Sequence, residues 1–178
     1  MCRFLFRATE KEKQSLADNI VGFMNDTCNF SEEAKNFISN WILTGPDEKT
    51  KAYFDIWSKV LDRYLPTKRP ILFRSCLRVS CKPIQSFSGS MSAVEKFSEG
   101  HKGHVLVCDT KEYMKYLNLE KEHIYKRNFF SIYDLILKDI SSSTPHFRQE
   151  FYEKYKGEDE YIVRVDLGHL YDLRWGTK

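Results

Sequence analysis

Glycine is scarce in this chain, with eight residues among 178. No GxGxxG, GxxxxGK[ST] or GxSxG pattern occurs. A phosphate cradle built from backbone N–H groups is therefore not expected. Cysteine is present but unpaired by pattern: Cys2, Cys28, Cys76, Cys81 and Cys108 make an odd count without CxxC spacing. That argues against a disulfide framework and a zinc site, and for free thiols in a reducing compartment. The five histidines are scattered, none at ligand spacing to a cysteine, so no metal is expected. No apolar run approaches the roughly 18 residues a membrane span needs. The apolar part of "MCRFLFRATEKEK" is too short for a signal peptide. A cytoplasmic monomer without membrane contact is the expectation. The net charge of +3 is too small to argue nucleic-acid binding by itself.

The chain does have apolar and aromatic residues, 42 % and 15 % of its length, enough for one ordered domain with a sizeable core. Residues 1–66 read as its helical part. Thr9 and Glu12 have capping-box spacing ahead of Leu16, Ile20, Phe23 and Met24. Ser31 precedes Ala34, Phe37, Ile38, Trp41 and Ile42, a full helical stripe stopped by "TGP". Tyr53, Ile56, Trp57, Val60, Leu61 and Tyr64 repeat the pattern before Pro66. These aromatic stripes read as core.

Residues 67–178 change texture. "ILF", "PIQSF", "GHVLVCDT", "EYIVRVDL" and "LYDLRW" read as strands. "SGSMSAVEKFSEG" reads as a helix capped by Ser90 or Ser92. "KEYMKYLNL" and "FSIYDLILKDI" are helical by period, and "SSSTPHF" is a loop. The fold class is α+β, a helical cap followed by a mixed, mostly antiparallel β core.

Chemistry-bearing residues gather at strand edges. Arg74 ends "PILFR", where a guanidinium can hold phosphate or carboxylate in a fork. Alternation along "SFS" puts Ser86 and Ser88 on one face and Phe87 on the other. In "EDE", read as the start of a strand, Glu158 and Glu160 share a face and Asp159 points away. Each taken alone is also what a surface arginine, a capping loop or a solvated turn looks like.

Together, in this order, they resemble the Arg-Ser-Glu signature of mono-ADP-ribosyltransferases. "ILFRS" looks like that family's first strand. "IQSFSGSMSAVEKFS" looks like its serine block and following helix, with Ala93 and Phe97 in place, and "EDEYIV" looks like its Glu-x-Glu strand. The resemblance covers about residues 69 to 166 and extends to phage-encoded and bacterial toxin members. It implies an ADP-ribosyltransferase-type core that takes NAD as substrate without a metal. It implies NAD contacts from Arg74, Ser75, Ser86, Phe87 and Ser88, with Glu160 beside the ribose and Glu158 toward the acceptor. It also implies that Tyr155, three places before Glu158, meets the target. The acceptor is a macromolecule, protein in preference to RNA, with an arginine side chain as one candidate. Family members often carry glycine where Ser75 stands. The short interval from Arg74 to Ser86 implies a reduced adenine pocket.

Two other readings stay open. Water as acceptor would make the chain an NAD glycohydrolase. A degenerate transferase fold could instead bind RNA or protein through "KRPILFRSCLR" and "KEHIYKR", where cations interleave with aromatic residues.

Overall fold

Thr9 opens the first helix with a reciprocal pair of hydrogen bonds. Its Oγ1 accepts from Glu12 N at 3.3 Å, and Glu12 Oε2 accepts from Thr9 N at 2.7 Å. The computed structural model describes residues 6–68, 70–80, 82–98, 100, 102–111, 129–164 and 170–175. Helix α1 is Glu10–Met24, α2 is Glu32–Leu43 and α3 is Lys51–Leu61. Ser31 caps α2, accepting from Ala34 N at 3.1 Å.

Strands β1 (Ile71–Cys76) and β2 (Ile84–Ser88) lead to a short helix, α4 (Met91–Lys96). Strands β3 (His104–Asp109) and β4 (Phe129–Ser131) precede α5 (Ile132–Ile140) and α6 (Gln149–Tyr155). A 3-10 turn at Lys156–Glu158 then feeds β5 (Glu160–Arg164), and β6 is Tyr171–Arg174. The six strands form one antiparallel sheet in the order β4-β5-β2-β1-β3-β6. The α+β class is as expected. No helix among the described residues is long and apolar enough to cross a membrane.

The sheet has two covered faces, and strand alternation assigns residues to them. On one face, Ile84, Phe130 and Ile162 pack under α1, α2, α3 and α5, against Ile38, Trp41, Trp57 and Leu135. On the other, Leu72, Phe87, Leu106, Cys108, Phe129 and Val163 form a smaller core. The helical part and the sheet thus share one core. Two polar anchors fix the layers. Arg164, ending β5, donates through Nη2 to Ser58 O at 2.8 Å and Ser58 Oγ at 2.9 Å, and through Nη1 to Asp62. Asp139 of α5, fully buried, accepts from the backbone N–H groups of His146 at 2.8 Å and Phe147 at 2.7 Å. That clamp seats the loop leading to α6 and the 3-10 turn.

Several local expectations are corrected. Strand β1 continues through Arg74 to Cys76, because it pairs β3 along its whole length, from Ile71 opposite Asp109 to Cys76 opposite His104. The helix expected from Phe130 begins at Ile132. Residues Phe129–Ser131 are instead a strand beside β5, and Ser131 caps α5 by accepting from Asp134 N. Of the two caps expected for α4, Ser90 is the one that serves, accepting from Ala93 N at 3.4 Å. Helix α6 was not expected. The segments "KEYMKYLNL" and "KEHIYKR", the end of "EYIVRVDL", and Cys2 and Cys81 lie outside the described residues. Cys28, Cys76 and Cys108 are free thiols.

Candidate functional site

β5 and β2 run side by side, with Ser88 opposite Glu160 and Ser86 opposite Ile162. Ile162 is fully buried beneath the helices, so alternation directs Glu160 toward the same helical layer. There Trp41 of α2 meets it. Trp41 Nε1 donates to Glu160 Oε1 at 2.9 Å, and Ser86 Oγ donates to the same oxygen at 2.5 Å. Glu160 is 9 % exposed. Its carboxylate is thus held at one oxygen by two donors from different layers of the fold. Such a group keeps its orientation when a ligand arrives.

Ser86, Ser88, Glu158 and Glu160 line a cavity of about 500 Å³. Phe73, Arg74 and Ser75 of β1 form a second wall, and Val94 of α4 with Phe97 just after that helix a third. The end of α2 and the turn after it, from Ile42 to Pro46, and Lys49 close it from the helical side. Size does not single this cavity out, since spaces of 580 to 610 Å³ open near Cys28, near Phe6 and near His146. Its chemistry does: buried polar groups of both signs converge on it.

Arg74 reaches the cavity through a break in the sheet. β1 and β2 are paired at a single position, Phe73 opposite Ser88. Beyond that point the Ser86 carbonyl takes its hydrogen bond from Arg74 Nη1, at 2.6 Å. Arg74 Nε is buried and without a hydrogen-bond partner among the described residues. Burial pushes the guanidinium's pKa down, against the pull of Cys76 and Glu160. A buried cation with a free N–H is costly unless something anionic completes it.

The three acids are divided by a backbone device. Glu158 lies in the 3-10 turn, and Asp159 takes a left-handed conformation at φ 43°. The simple alternation expected along "EDE" therefore does not extend to Glu158, although Glu158 and Glu160 still face one cavity. Gly89 packs against this turn. Its N–H donates to Asp159 O at 2.9 Å, and a Cβ there would lie 2.1 Å from Asp159 Oδ2. Burial raises the Glu158 pKa, the Glu160 charge adds to that, and Lys49 opposes it. Burial also raises that of Asp159, helped by Asp134.

The remaining expected residues fall as follows. Ser88 is buried, and its hydroxyl donates to the Glu158 carbonyl at 2.5 Å and accepts from Ser90 N at 3.0 Å, so it staples the acidic turn to β2. Ser75 Oγ accepts from Trp175 Nε1 at 3.4 Å. Phe87 packs in the smaller core and borders the cavity. Tyr155 does not line the cavity. Its ring sits 4.9 Å from that of Phe151 at the edge of the helical core, with Lys154 over it.

Two residues of the site escaped the sequence reading, Trp41 and Lys49. Lys49 Nζ lies 3.6 Å from the centre of the Trp41 ring. Burial lowers its pKa and Arg74 lowers it further, while Glu160 and Glu158 pull it back up. A buried indole N–H needs an acceptor, a signal that could have marked Trp41. The signal does not discriminate, because the equally buried Trp57 Nε1 has no partner among the described residues. Comparison of the chain with protein-family models, curated proteins and solved structures finds no match.

Proposed function

We propose that the chain cleaves NAD at the nicotinamide–ribose bond and transfers ADP-ribose to a macromolecular acceptor. The observation that carries this reading is the Glu160 carboxylate, held by Trp41 and Ser86 at a cavity it shares with Arg74. Breaking the C1′–N bond of NAD leaves positive charge on the ribose while nicotinamide departs with the bonding electrons. A fixed carboxylate beside the sugar stabilises that cation without having to reorganise. Arg74 offers its free Nε–H to the pyrophosphate. An acceptor nucleophile then bonds to C1′, and its proton passes to Glu158. The cavity's 500 Å³ is within the range of small-molecule sites.

The test is NAD labelled in its adenylate part, incubated with the protein and a cell lysate, then divided between protease and nuclease. Label that survives nuclease and is lost to protease supports transfer to protein. Label lost to nuclease moves the acceptor to RNA or DNA. No release of nicotinamide in any arm overturns the reading.

Arg74→Ala should weaken NAD binding about 10- to 100-fold, the worth of one charge-assisted contact of about 1.5–3 kcal/mol. Calorimetric titration measures this, with a thermal melt alongside because the Ser86 carbonyl also loses its donor. Unchanged affinity in a folded variant would remove Arg74 from the site.

A further inference from the structure

Lys49 stands in the turn between α2 and α3, outside every motif that pointed to the site. Its Nζ lies 3.6 Å from the Trp41 ring centre. The indole's opposite interest is Glu160: Trp41 Nε1 donates to its Oε1 at 2.9 Å. The three groups therefore form a chain from ammonium to indole to carboxylate. A cation over an indole face draws π density toward itself. The N–H at the ring edge becomes a stronger donor, and hydrogen bonds linked this way reinforce one another in a dry site. The charges facing Lys49 come from three other elements, Glu160 on β5, Glu158 on the 3-10 turn and Arg74 on β1. No ion pair of 4 Å or less ties the ammonium to a carboxylate among the described residues, so the indole is its close contact.

We propose that Lys49 is a positioning residue for Glu160, acting through the Trp41 indole, and that the site requires its positive charge. The inference rests on Glu160 being the carboxylate beside the reacting ribose. Loss of the proton from Lys49 removes the cation from the ring face. The indole then slackens its hold on Glu160, and the turn from Thr44 to Thr50 loses an anchor. Because burial lowers the Lys49 pKa, this loss falls below the ordinary lysine value of 10.5. Activity is therefore present while Lys49 is charged and declines as pH rises through its lowered pKa, before 10.5 is reached.

The test uses wild type, Lys49→Arg and Lys49→Met. Arginine keeps a cation at every accessible pH, and methionine keeps the stem without charge. Lys49→Met should lower kcat for nicotinamide release about tenfold with KM little changed. Its pH profile should lack the alkaline limb of the wild type, and Lys49→Arg should move that limb to higher pH. Trp41 fluorescence, taken as the difference between the protein and its Trp41→Phe variant, should titrate with the same midpoint in the wild type only. An alkaline limb that is identical in all three proteins overturns the proposal, as does a flat fluorescence difference in the wild type. Absence of any turnover in the wild type would instead reject the transferase reading, and the fluorescence titration would still decide whether Lys49 and Trp41 are coupled.

Discussion

Glu160→Gln should slow NAD cleavage about 10²–10³-fold, equally for transfer and for hydrolysis, the usual cost of removing one preorganised electrostatic contact. On the proposed reading both reactions pass through the same ribose cation, so both would depend on the charge that Glu160 supplies. The choice of glutamine matters. Trp41 Nε1 and Ser86 Oγ both donate to one oxygen of Glu160. An amide oxygen can accept both, so the variant removes the charge and leaves the donors satisfied. Glu160→Ala would orphan two buried donors and confuse a catalytic loss with instability. The measurement is nicotinamide release beside label incorporation, with a thermal melt to show that the fold persists. Full activity in Glu160→Gln would sink the transferase reading itself.

The helical layer could be read from sequence because its signals are local. Thr9, Ser31 and the apolar stripes specify caps and a period within a few residues of each other. β4 could not be read this way. Phe129, Phe130 and Ser131 are all buried, so they show no alternation, and they run directly into the apolar period of α5. Only pairing with β5 makes them a strand, and that partner lies some thirty residues downstream. The site divides along the same line. Arg74, Ser86, Ser88 and Glu160 could be nominated because the order of their motifs resembles the Arg-Ser-Glu signature, and the fold brings all four to one cavity. Trp41 could not, because its contact with Glu160 spans 119 residues and its place in a helical stripe reads as ordinary core. Lys49 lies in a turn whose composition looks solvated. What the sequence conceals is the contribution of the helical layer, which here supplies a hydrogen-bond donor to a carboxylate on the sheet and a cation over that donor's ring.

Glu158→Gln should separate transfer from hydrolysis and at the same time stabilise the protein. Transfer to a macromolecular group should fall on the order of 10²-fold, the lower end of general-base contributions, while hydrolysis stays within a few-fold of wild type. Glu158 suits the role because no hydrogen bond among the described residues engages its carboxyl, although its backbone carbonyl is fixed by Ser88 Oγ. Burial and the Glu160 charge raise its pKa, which makes it a stronger base than a free carboxylate. The same shift sets the sign of the stability effect. Below the ordinary value of 4.5, Glu158 is protonated in both folded and unfolded chains and costs nothing. As pH rises past 4.5, the unfolded chain ionises first, the folded state resists, and stability falls until the folded pKa is passed. Glutamine cannot ionise, so the variant should melt higher than wild type at neutral pH and at the same temperature at about pH 3. Asp159, whose pKa burial also raises, is present in both proteins, so the difference between them reports the change at Glu158. Two measurements check this: nicotinamide release against label incorporation at neutral pH, and melting temperature across the acid range. Equal loss of both reactions would collapse the division of labour between the two glutamates. A variant that melts lower than wild type at neutral pH would show that the Glu158 carboxylate is stabilised in the folded state by a partner, and a charge so occupied would not be free to take a proton from an acceptor.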